Sequence, residues 1–308
     1  MDVTHWTEAD IPDLTGRRAV VTGATSALGR EIARALLANG AEVILAVRDR
    51  ARGEALAALL GARDPAVRPA VRELDLASLG SIHSFAATLI AEVDRLDLLV
   101  NSAGVVMPPL GRTEDGFELQ MGTNHFGTFA LTARLWPLLK ATPNSRVTVT
   151  SSIAHRRGGP HLADLDWRLR EYDAGQAYSD SKLANLLFVY ELDRRRTGTE
   201  PKVCACHPGW IRSGLQQHSG MARFFRPIRG MPAAQGALAT LRAAVDPNAV
   251  SGDFFGPDGV LQMRGYPVRV EPVEFAKDPG LAQDLWEISA ERTGIDFKLN
   301  ESEGVFAL

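Results

Sequence analysis

The chain has 308 residues, of which 45% are apolar and 23% are charged, and a chain of this size can bury a large core. Its net charge is −3, from 34 Lys and Arg against 37 Asp and Glu, which argues against nucleic acid or an anionic membrane surface as a partner. No stretch approaches the ~20 consecutive apolar residues that are needed to span a bilayer.

The N-terminus and the cysteines indicate the compartment. Residues 1–16 have no basic region followed by an apolar one, so we expect no signal peptide. Cys204 and Cys206 lie two apart on a predicted strand, which is poor geometry for a disulfide. With His207 they could be metal ligands, but no second cluster follows a known zinc spacing, so a buried strand is favoured and no metal is expected. We expect a cytoplasmic protein.

The first predicted unit is a strand, a glycine-containing turn and a helix. Residues 18–22 are rich in β-forming side chains, and a helical pattern over 30–38 stops at Asn39 and Gly40. A second β-run at 42–47 completes a βαβ unit. Backbone amides at a helix N-terminus attract phosphate, and glycine lets the chain approach it closely. The candidate phosphate-binding residues in this turn are Gly23, Thr25, Ser26, Ala27, Leu28 and Gly29.

The alternation of strands and helices continues along the chain. Helices are predicted at 50–60, 79–93, 115–139 with a break near Gly122, 177–196 and 233–245. Strands are predicted at 67–74, 96–100, 146–151, 202–206 and 253–255. This order, without a linker or repeat, predicts one α/β domain over residues 1–308 with a doubly wound parallel sheet. Its core would be about 13–255, followed by a C-terminal extension at 256–308.

The end of the second strand bears on the choice of cofactor. Many NAD-binding folds place a carboxylate there to hold the ribose hydroxyls, whereas this chain has Arg48. An arginine suits the 2′-phosphate of NADP(H). The adjacent Asp49 leaves open that Arg48 is an ordinary surface residue.

The ends of the third and fourth strands offer further candidate cofactor contacts. Asp75 and Leu76 are candidate contacts after the third strand. Asp75 could accept a hydrogen bond from the adenine amine, or it could belong to the start of the next helix. Asn101, Ala103 and Gly104 are small or compact and would let a cofactor lie against the backbone. They could equally form a simple turn.

Tyr178 and Lys182 are candidates for proton transfer. They lie four apart in a predicted helix and would share one face. A nearby ammonium lowers the pKa of a tyrosine, so the pair could act as an acid and base, although this spacing is also common by chance. Asn124 disfavours a helix interior and could mark a functional kink. Ser151 and Ser152 end the fifth strand.

Two long segments interrupt the rhythm. Residues 155–175 are polar, and residues 210–232 contain several apolar side chains. Long loops at the carboxyl ends of strands often form binding segments. Trp210, Phe224 and Phe225 are therefore candidates for contact with a bulky, apolar substrate, with anchoring of the loop as the alternative.

Taken in order, these motifs resemble those of the short-chain dehydrogenase/reductase family. The residues that carry the resemblance are Thr22, Gly23, Gly29, Asp75, 101–104, Asn124, Ser151, Ser152, Tyr178, Lys182 and 208–213. The resemblance covers about 13–255 and implies a Rossmann-type fold with a substrate loop after the sixth strand. Three positions depart from the family pattern: Ala27 replaces a glycine, Ser102 an asparagine and Ser213 a threonine.

The resemblance also implies roles for the candidates. Tyr178 would be the general acid or base, and Ser152 would bind the reacting oxygen of the substrate. Lys182 would lower the pKa of Tyr178 and bind the nicotinamide ribose, and Asn124 would hold a water between Lys182 and solvent. Pro208, Gly209, Ile211 and Ser213 would contact the cofactor, and Tyr178 and Lys182 would border it.

Within the family, the residues at 43–49, 181–185 and 206–209 resemble the branch of retinol dehydrogenases, WW-domain oxidoreductases and protochlorophyllide reductases, and the tail resembles its bacterial members. That branch mostly prefers NADP(H), and some bacterial members serve in secondary metabolism. The expected function is therefore NADP(H)-dependent interconversion of a ketone or aldehyde and an alcohol. The alternatives are C=C reduction, or nucleotide sensing without catalysis. The expected partner is a small-molecule substrate, and a homodimer is the working expectation.

Overall fold

A computed structural model describes residues 5–62, 68–159, 161–198, 201–211, 230–297 and Leu299. Within these residues, eight strands form one sheet in the order β3-β2-β1-β4-β5-β6-β7-β8. All neighbouring strands are parallel except β7 and β8. The strands are β1 Arg18–Thr22, β2 Glu42–Val47, β3 Ala70–Glu73, β4 Leu98–Asn101, β5 Arg146–Thr150, β6 Lys202–Cys206, β7 Phe254–Pro257 and β8 Pro267–Arg269.

Helices cover both faces of this sheet. They are α1 Ala27–Ala38, α2 Arg50–Leu60, α3 Leu79–Glu92, α4 Leu119–Met121, a π-helical turn at Gly122–Phe126, α5 Gly127–Ala141, α6 Ala174–Arg195, α7 Ala233–Val245 and α8 Pro279–Thr293. Among the described residues, no helix is both long enough and apolar enough to span a membrane.

The strand side chains alternate between two apolar layers. In β1, Ala19 and Val21 pack in the layer with α1 and α7, whereas Val20 packs in the layer with α3, α5 and α6. Successive side chains of a strand point to opposite faces, so a strand covered on both sides is apolar at every position. All four residues of β4 are buried for this reason.

The doubly wound parallel fold is confirmed, with corrections at particular elements. The last strand, β8, is antiparallel, and both β8 and α8 lie in the extension for which no strand or helix was predicted. Trp286 of α8 stacks on Phe188 of α6 with ring centroids 5.9 Å apart, so the extension contributes to the core. The strand predicted at 67–74 is shorter, and part of that prediction lies outside the described residues.

The helix predicted at 115–139 begins later. Glu118 is buried, and its carboxylate accepts from the amides of Gln120 and Met121 at 3.0 and 2.7 Å, which caps the helix there. The break predicted near Gly122 is confirmed as the π-helical turn. Turns of this kind insert one extra residue and often occur at functional sites.

The chain order places a crevice at the carboxyl edge of the sheet. The sequence runs outward from β1 through β2 to β3 and then returns to β4 on the other side of β1. The loops after β1 and β4 therefore leave in opposite directions, and open α/β sheets bind ligands at such a point. The loops after β5 and β6 border the same edge.

Candidate active site

The turn after β1 forms a tight cradle at the start of α1. Gly23 has φ +65°, and a Cβ there would lie 2.7 Å from the Cα of Ala103, so a side chain would not fit. Ser26 caps α1 by accepting from the Gly29 amide at 3.0 Å. Ala27 keeps a negative φ as the first helical residue, so its methyl group leaves the turn intact. The first-turn amides of α1 have no partners within the helix and can bind phosphate.

Arg48 and Asp49 have different roles at the end of β2. Asp49 accepts from the Arg52 amide at 3.0 Å and caps α2. Arg48 is exposed and makes no hydrogen bond or ion pair within the described part of the chain. The Asp49 carboxylate is thus used to cap a helix, whereas the Arg48 guanidinium is available to a ligand.

The ends of β3 and β4 lie beside this cradle. Ser78, not Asp75, caps α3, and Asp75 is half-buried with one oxygen accepting from Ala77 at 2.9 Å. The Thr22 hydroxyl accepts from the amides of Ser102 and Ala103 at 3.0 Å each. This bond fixes the turn after β4 against β1.

At the turn after β4, two buried oxygen atoms have no hydrogen-bond partner among the described residues. They are Asn101 Oδ1 and Ser102 Oγ. Together with the glycine cradle and the first-turn amides of α1 that Ser26 does not cap, they fit a ligand rich in polar groups, as a dinucleotide is. The residues present at this edge therefore fit a nicotinamide dinucleotide.

Asn124 lies in the π-helical turn and is fully buried. Its Oδ1 accepts from the Val105 amide at 2.8 Å, and its Nδ2 donates to the Val105 carbonyl and the Ser181 hydroxyl at 3.0 Å each. A Cβ on Gly104 would lie 2.9 Å from Asn124 Oδ1 and 3.4 Å from Lys182 Nζ. The turn after β4 thus brings Asn124 and Lys182 together.

The two serines at the end of β5 have separate partners. Ser151 is buried and donates to the Lys182 carbonyl at 2.7 Å. Ser152 is half-buried and forms a side-chain hydrogen bond with Tyr178. Because the Ser151 hydroxyl is already used, Ser152 remains the serine that we expect to face a substrate.

Tyr178 and Lys182 share one face of α6, as the spacing predicted. Lys182 Nζ donates to the Thr150 carbonyl at 3.0 Å and lies 5.8 Å from the centroid of the Tyr178 ring. Burial lowers the pKa of Lys182 to about 8. Burial raises the pKa of Tyr178, and the hydrogen bond with Ser152 opposes this only in part.

The expected lowering of the Tyr178 pKa by Lys182 is therefore wrong for the protein without cofactor. Lys182 directs its ammonium at a backbone carbonyl, and the desolvation of the phenol outweighs its influence. Tyr178 holds its proton at neutral pH in this state. A protonated phenol is the form that a general acid requires.

The segment after β6 turns sharply at Gly209. Gly209 has φ +66°, and a Cβ there would lie 2.7 Å from the Met263 carbonyl. Trp210 donates its amide to that same carbonyl at 2.8 Å, and Ile211 pairs with Met231. Pro208 begins this turn and lies against Gly236 of α7, as Ile211 also does. Candidates Ser213, Phe224 and Phe225 lie outside the described residues.

The sequence reasoning missed a supporting residue beside Ser152. His155 is buried, and its Nδ1 lies 2.6 Å from the Ser152 carbonyl. It belongs to no motif, and its position three residues after Ser152 was the only available signal. Cys204 and Cys206 are buried in β6, which confirms the strand interpretation, and the described residues contain no cluster that could hold a metal ion.

Comparisons with known proteins agree with this geometry. The family model that is described as short chain dehydrogenase matches residues 17–223 of this chain. Human retinol dehydrogenase 13 is 38% identical over 94% of this chain and 87% of its own length. Mouse retinol dehydrogenase 14 is 38% identical over 91% of this chain and 86% of its own.

Solved structures show the same architecture. An uncharacterised protein from Mycobacterium paratuberculosis superposes with a TM-score of 0.81 at 42% identity, covering 96% of this chain and 100% of that one. The Pseudomonas aeruginosa RhlG/NADP active-site complex superposes with a TM-score of 0.65 at 26% identity, covering 84% and 100%.

Proposed function

Because the chain belongs to the short-chain dehydrogenase family, we propose that it is an NADP(H)-dependent oxidoreductase that interconverts a ketone or aldehyde and an alcohol. The observation that carries this proposal is the pairing of Tyr178 with Ser152, one helical turn from Lys182, at the edge where the cofactor cradle opens. These groups would transfer a proton to or from the substrate beside the nicotinamide of a bound cofactor.

The reduction would use Tyr178 as the proton donor. When bound, the cofactor supplies the hydride to the carbonyl carbon. The developing charge on the substrate oxygen would be stabilised by the Ser152 hydroxyl, while Tyr178 donates its proton to that oxygen. Lys182, held by Thr150, would keep positive charge beside the ribose, and Asn124 would hold a water beside it. In the oxidative direction the deprotonated form of Tyr178, the phenolate, would accept the proton from the alcohol instead.

NADP(H) is favoured over NAD(H) by Arg48. Its guanidinium is exposed at the end of β2 and has no partner among the described residues, and the neighbouring carboxylate of Asp49 is used by a helix cap. Arginine binds phosphate in a two-pronged geometry that suits a 2′-phosphate. The RhlG structure was solved as an NADP complex, which supports the same choice.

A bulky, apolar carbonyl compound is the substrate class that we favour. The relatives are named as retinol dehydrogenases. Retinol is a bulky, apolar alcohol, and the aldehyde formed by its oxidation is a compound of this class. In the described part of the chain, the exposed side chain of Leu110 stands in the loop after β4, and that of Leu169 in the loop before α6. Reduction of a C=C bond in a conjugated carbonyl compound is the second candidate reaction, because the same proton donor can serve a carbon centre.

The test is a turnover panel with a matched pair of variants. Purified protein with NADPH or NADH is assayed against retinal, smaller aldehydes, ketones and an enone, with product analysis for the enone. Tyr178→Phe should lose at least ~10²-fold in kcat while still binding NADPH, because it lacks only the proton donor. Tyr190→Phe, on the same helix and away from the site, is the control. Full activity of Tyr178→Phe would contradict the mechanism.

A further inference from the structure

Three buried histidines lie outside the proposed catalytic group of Asn124, Ser152, Tyr178 and Lys182, and they share one arrangement. Each stands within three residues of a group in the proposed site, and each bonds to the C-terminal segment, which we define as residues 256–297. The pairs are His125 with Ser289, His155 with Val273, and His207 with Gln262. The C-terminal segment therefore contacts three separate stretches of chain beside the site.

His155 connects the segment to Ser152. The Val273 amide donates to His155 Nε2 at 3.3 Å, so in the neutral ring Nδ1 carries the proton. That Nδ1–H donates to the Ser152 carbonyl at 2.6 Å. One ring thus fixes the backbone of Ser152 to a residue more than a hundred positions later in the chain.

His207 connects the segment to the turn at Gly209. The Gly209 amide donates to His207 Nδ1 at 3.3 Å, so the proton lies on Nε2 and is donated to Gln262 Oε1 at 3.0 Å. Gln262 has φ +56°, a conformation that costs energy in a residue other than glycine. A Cβ on Gly256 would collide with the His207 ring, so a glycine at that position leaves room for the histidine.

His125 connects the segment to the π-helical turn that contains Asn124. The Ser289 hydroxyl donates to the Leu285 carbonyl at 2.7 Å, so His125 Nε2–H donates to Ser289 Oγ at 2.8 Å. His125 is fully buried and packs against Phe126 and Phe188. A shift of α8 would therefore be transmitted to the residue next to Asn124.

The three histidine rings can connect two segments of the chain because they are neutral. A neutral imidazole offers one donor and one acceptor, whereas an imidazolium offers two donors and would oppose the amides of Val273 and Gly209. Burial lowers the pKa of His125 and His207 to about 3 and that of His155 to about 4. All three rings are neutral at physiological pH.

We propose that His125, His155 and His207 are positioning residues through which the C-terminal segment holds Asn124, Ser152 and the Gly209 turn in register. The inference rests on the proposed function. It adds residues that position the reacting groups without touching the reacting atoms themselves. The competing account is that the three rings only fill the core, which would make them matter for stability and not for kinetics.

The variants are chosen on the segment, with matched controls. Ser289→Ala removes the partner of His125, and Thr293→Ala removes a buried hydroxyl from the same helix without touching a histidine. Gln262→Met removes the partner of His207. Gln235→Met is its control, because Gln235 bonds to the same loop at Gly265 instead. The full-length chain is used throughout.

The two variants are expected to affect different kinetic quantities. Ser289→Ala should lower kcat about 3- to 10-fold at unchanged NADPH affinity, the range expected for one hydrogen bond. Gln262→Met should raise the Kd for NADPH, measured by fluorescence titration, by about 3- to 10-fold. The two controls should match wild type within about 2-fold per folded molecule. Equal effects in a variant and its control would overturn the inference.

Conservative variants at His155 provide a rescue test. Asparagine can place its amide where Nδ1 stands and keep the donor to Ser152, whereas glutamine can replace only the Nε2 acceptor for Val273. His155→Asn should keep kcat within about 3-fold, and His155→Gln should lose about 10-fold. The reverse order, or equal loss with a lowered Tm, would support simple core filling.

A spectroscopic signature is independent of turnover. In ¹⁵N-histidine NMR spectra, His155 should show the Nδ1–H tautomer and the other two the Nε2–H tautomer. Other tautomers, or charged rings at pH 7, would overturn the inference. If wild type binds NADPH but reduces no carbonyl, the proposed function fails, while the tautomers and the NADPH titration of Gln262→Met still decide this inference.

Discussion

Replacing Gly104 by alanine tests the arrangement of Asn124 and Lys182 directly. Gly104 does not have a positive φ, so alanine suits its backbone and the effect is steric. The new Cβ would lie 2.9 Å from Asn124 Oδ1 and 3.4 Å from Lys182 Nζ. The first distance is too short for a carbon and an oxygen, so the Asn124 side chain must move.

The size of the effect follows from the bonds that Asn124 would lose. Its two hydrogen bonds to Val105, of 2.8 and 3.0 Å, hold the side-chain amide of Asn124 beside Gly104. Each bond contributes about 1 kcal/mol, so about 2 kcal/mol of the free energy that holds the Asn124 side chain in place would be lost. If that energy is used to place the proton-transfer groups, kcat falls by about 30-fold.

The assay measures kcat at saturating NADPH, so that a change in cofactor affinity does not enter. Gly80→Ala is the matched control, because its Cβ would meet only Ser78 Oγ at 3.8 Å. In a helix that replacement should be neutral or stabilising by up to about 1 kcal/mol. A kcat for Gly104→Ala within about 3-fold of wild type would refute the role given to Asn124.

Three further outcomes are expected. Arg48→Ala should raise the Kd for NADPH about 10- to 100-fold and that for NADH far less, since a charged hydrogen bond is worth about 1.5–3 kcal/mol; equal changes in fluorescence titrations would contradict the NADP(H) assignment. The pKa values of His125, His155 and His207 are lowered to about 3, 4 and 3, so below pH 6.5 the unfolded chain binds protons that the folded one does not. The urea-unfolding free energy should therefore fall by about 2 kcal/mol per histidine at pH 5, and a flat profile from pH 7.5 to 5 would show that these rings are not neutral. The pKa of Lys182 is lowered from 10.5 to about 8, so its contribution to stability should rise between those pH values; Lys182→Met should remove this rise, and an identical slope in both proteins would contradict the burial of the ammonium.

The candidate site was largely visible in the sequence because its parts are local. A glycine turn between a strand and a helix, or a tyrosine and a lysine one helical turn apart, requires only neighbours along the chain. Parallel strands then bring their carboxyl ends to one edge, which places Ser152 and Asn124 beside Tyr178 without any knowledge of contacts. The same periodicity predicted the bounds of β6 and α7 as they stand in the structure.

The separate roles of Ser151 and Ser152 needed the folded chain. Both residues are serine at the end of one strand, and only the packing of α6 shows that Ser151 is committed to the Lys182 carbonyl. The protonation of Tyr178 also depended on the fold, because its pKa reflects how far burial outweighs a nearby charge.

The sequence by itself determined the parallel sheet, the glycine turn between β1 and α1, and the placement on one helix face of Tyr178 and Lys182, the pair that we propose for proton transfer. The tertiary structure decided that β8 joins the same sheet and α8 the same core, and that three histidines link this C-terminal segment to Ser152, Gly209 and the turn of Asn124. The physical reason is the range of the interactions. Periodicity and capping act over a few residues, whereas burial and hydrogen bonds between distant segments exist only once the chain has closed on itself.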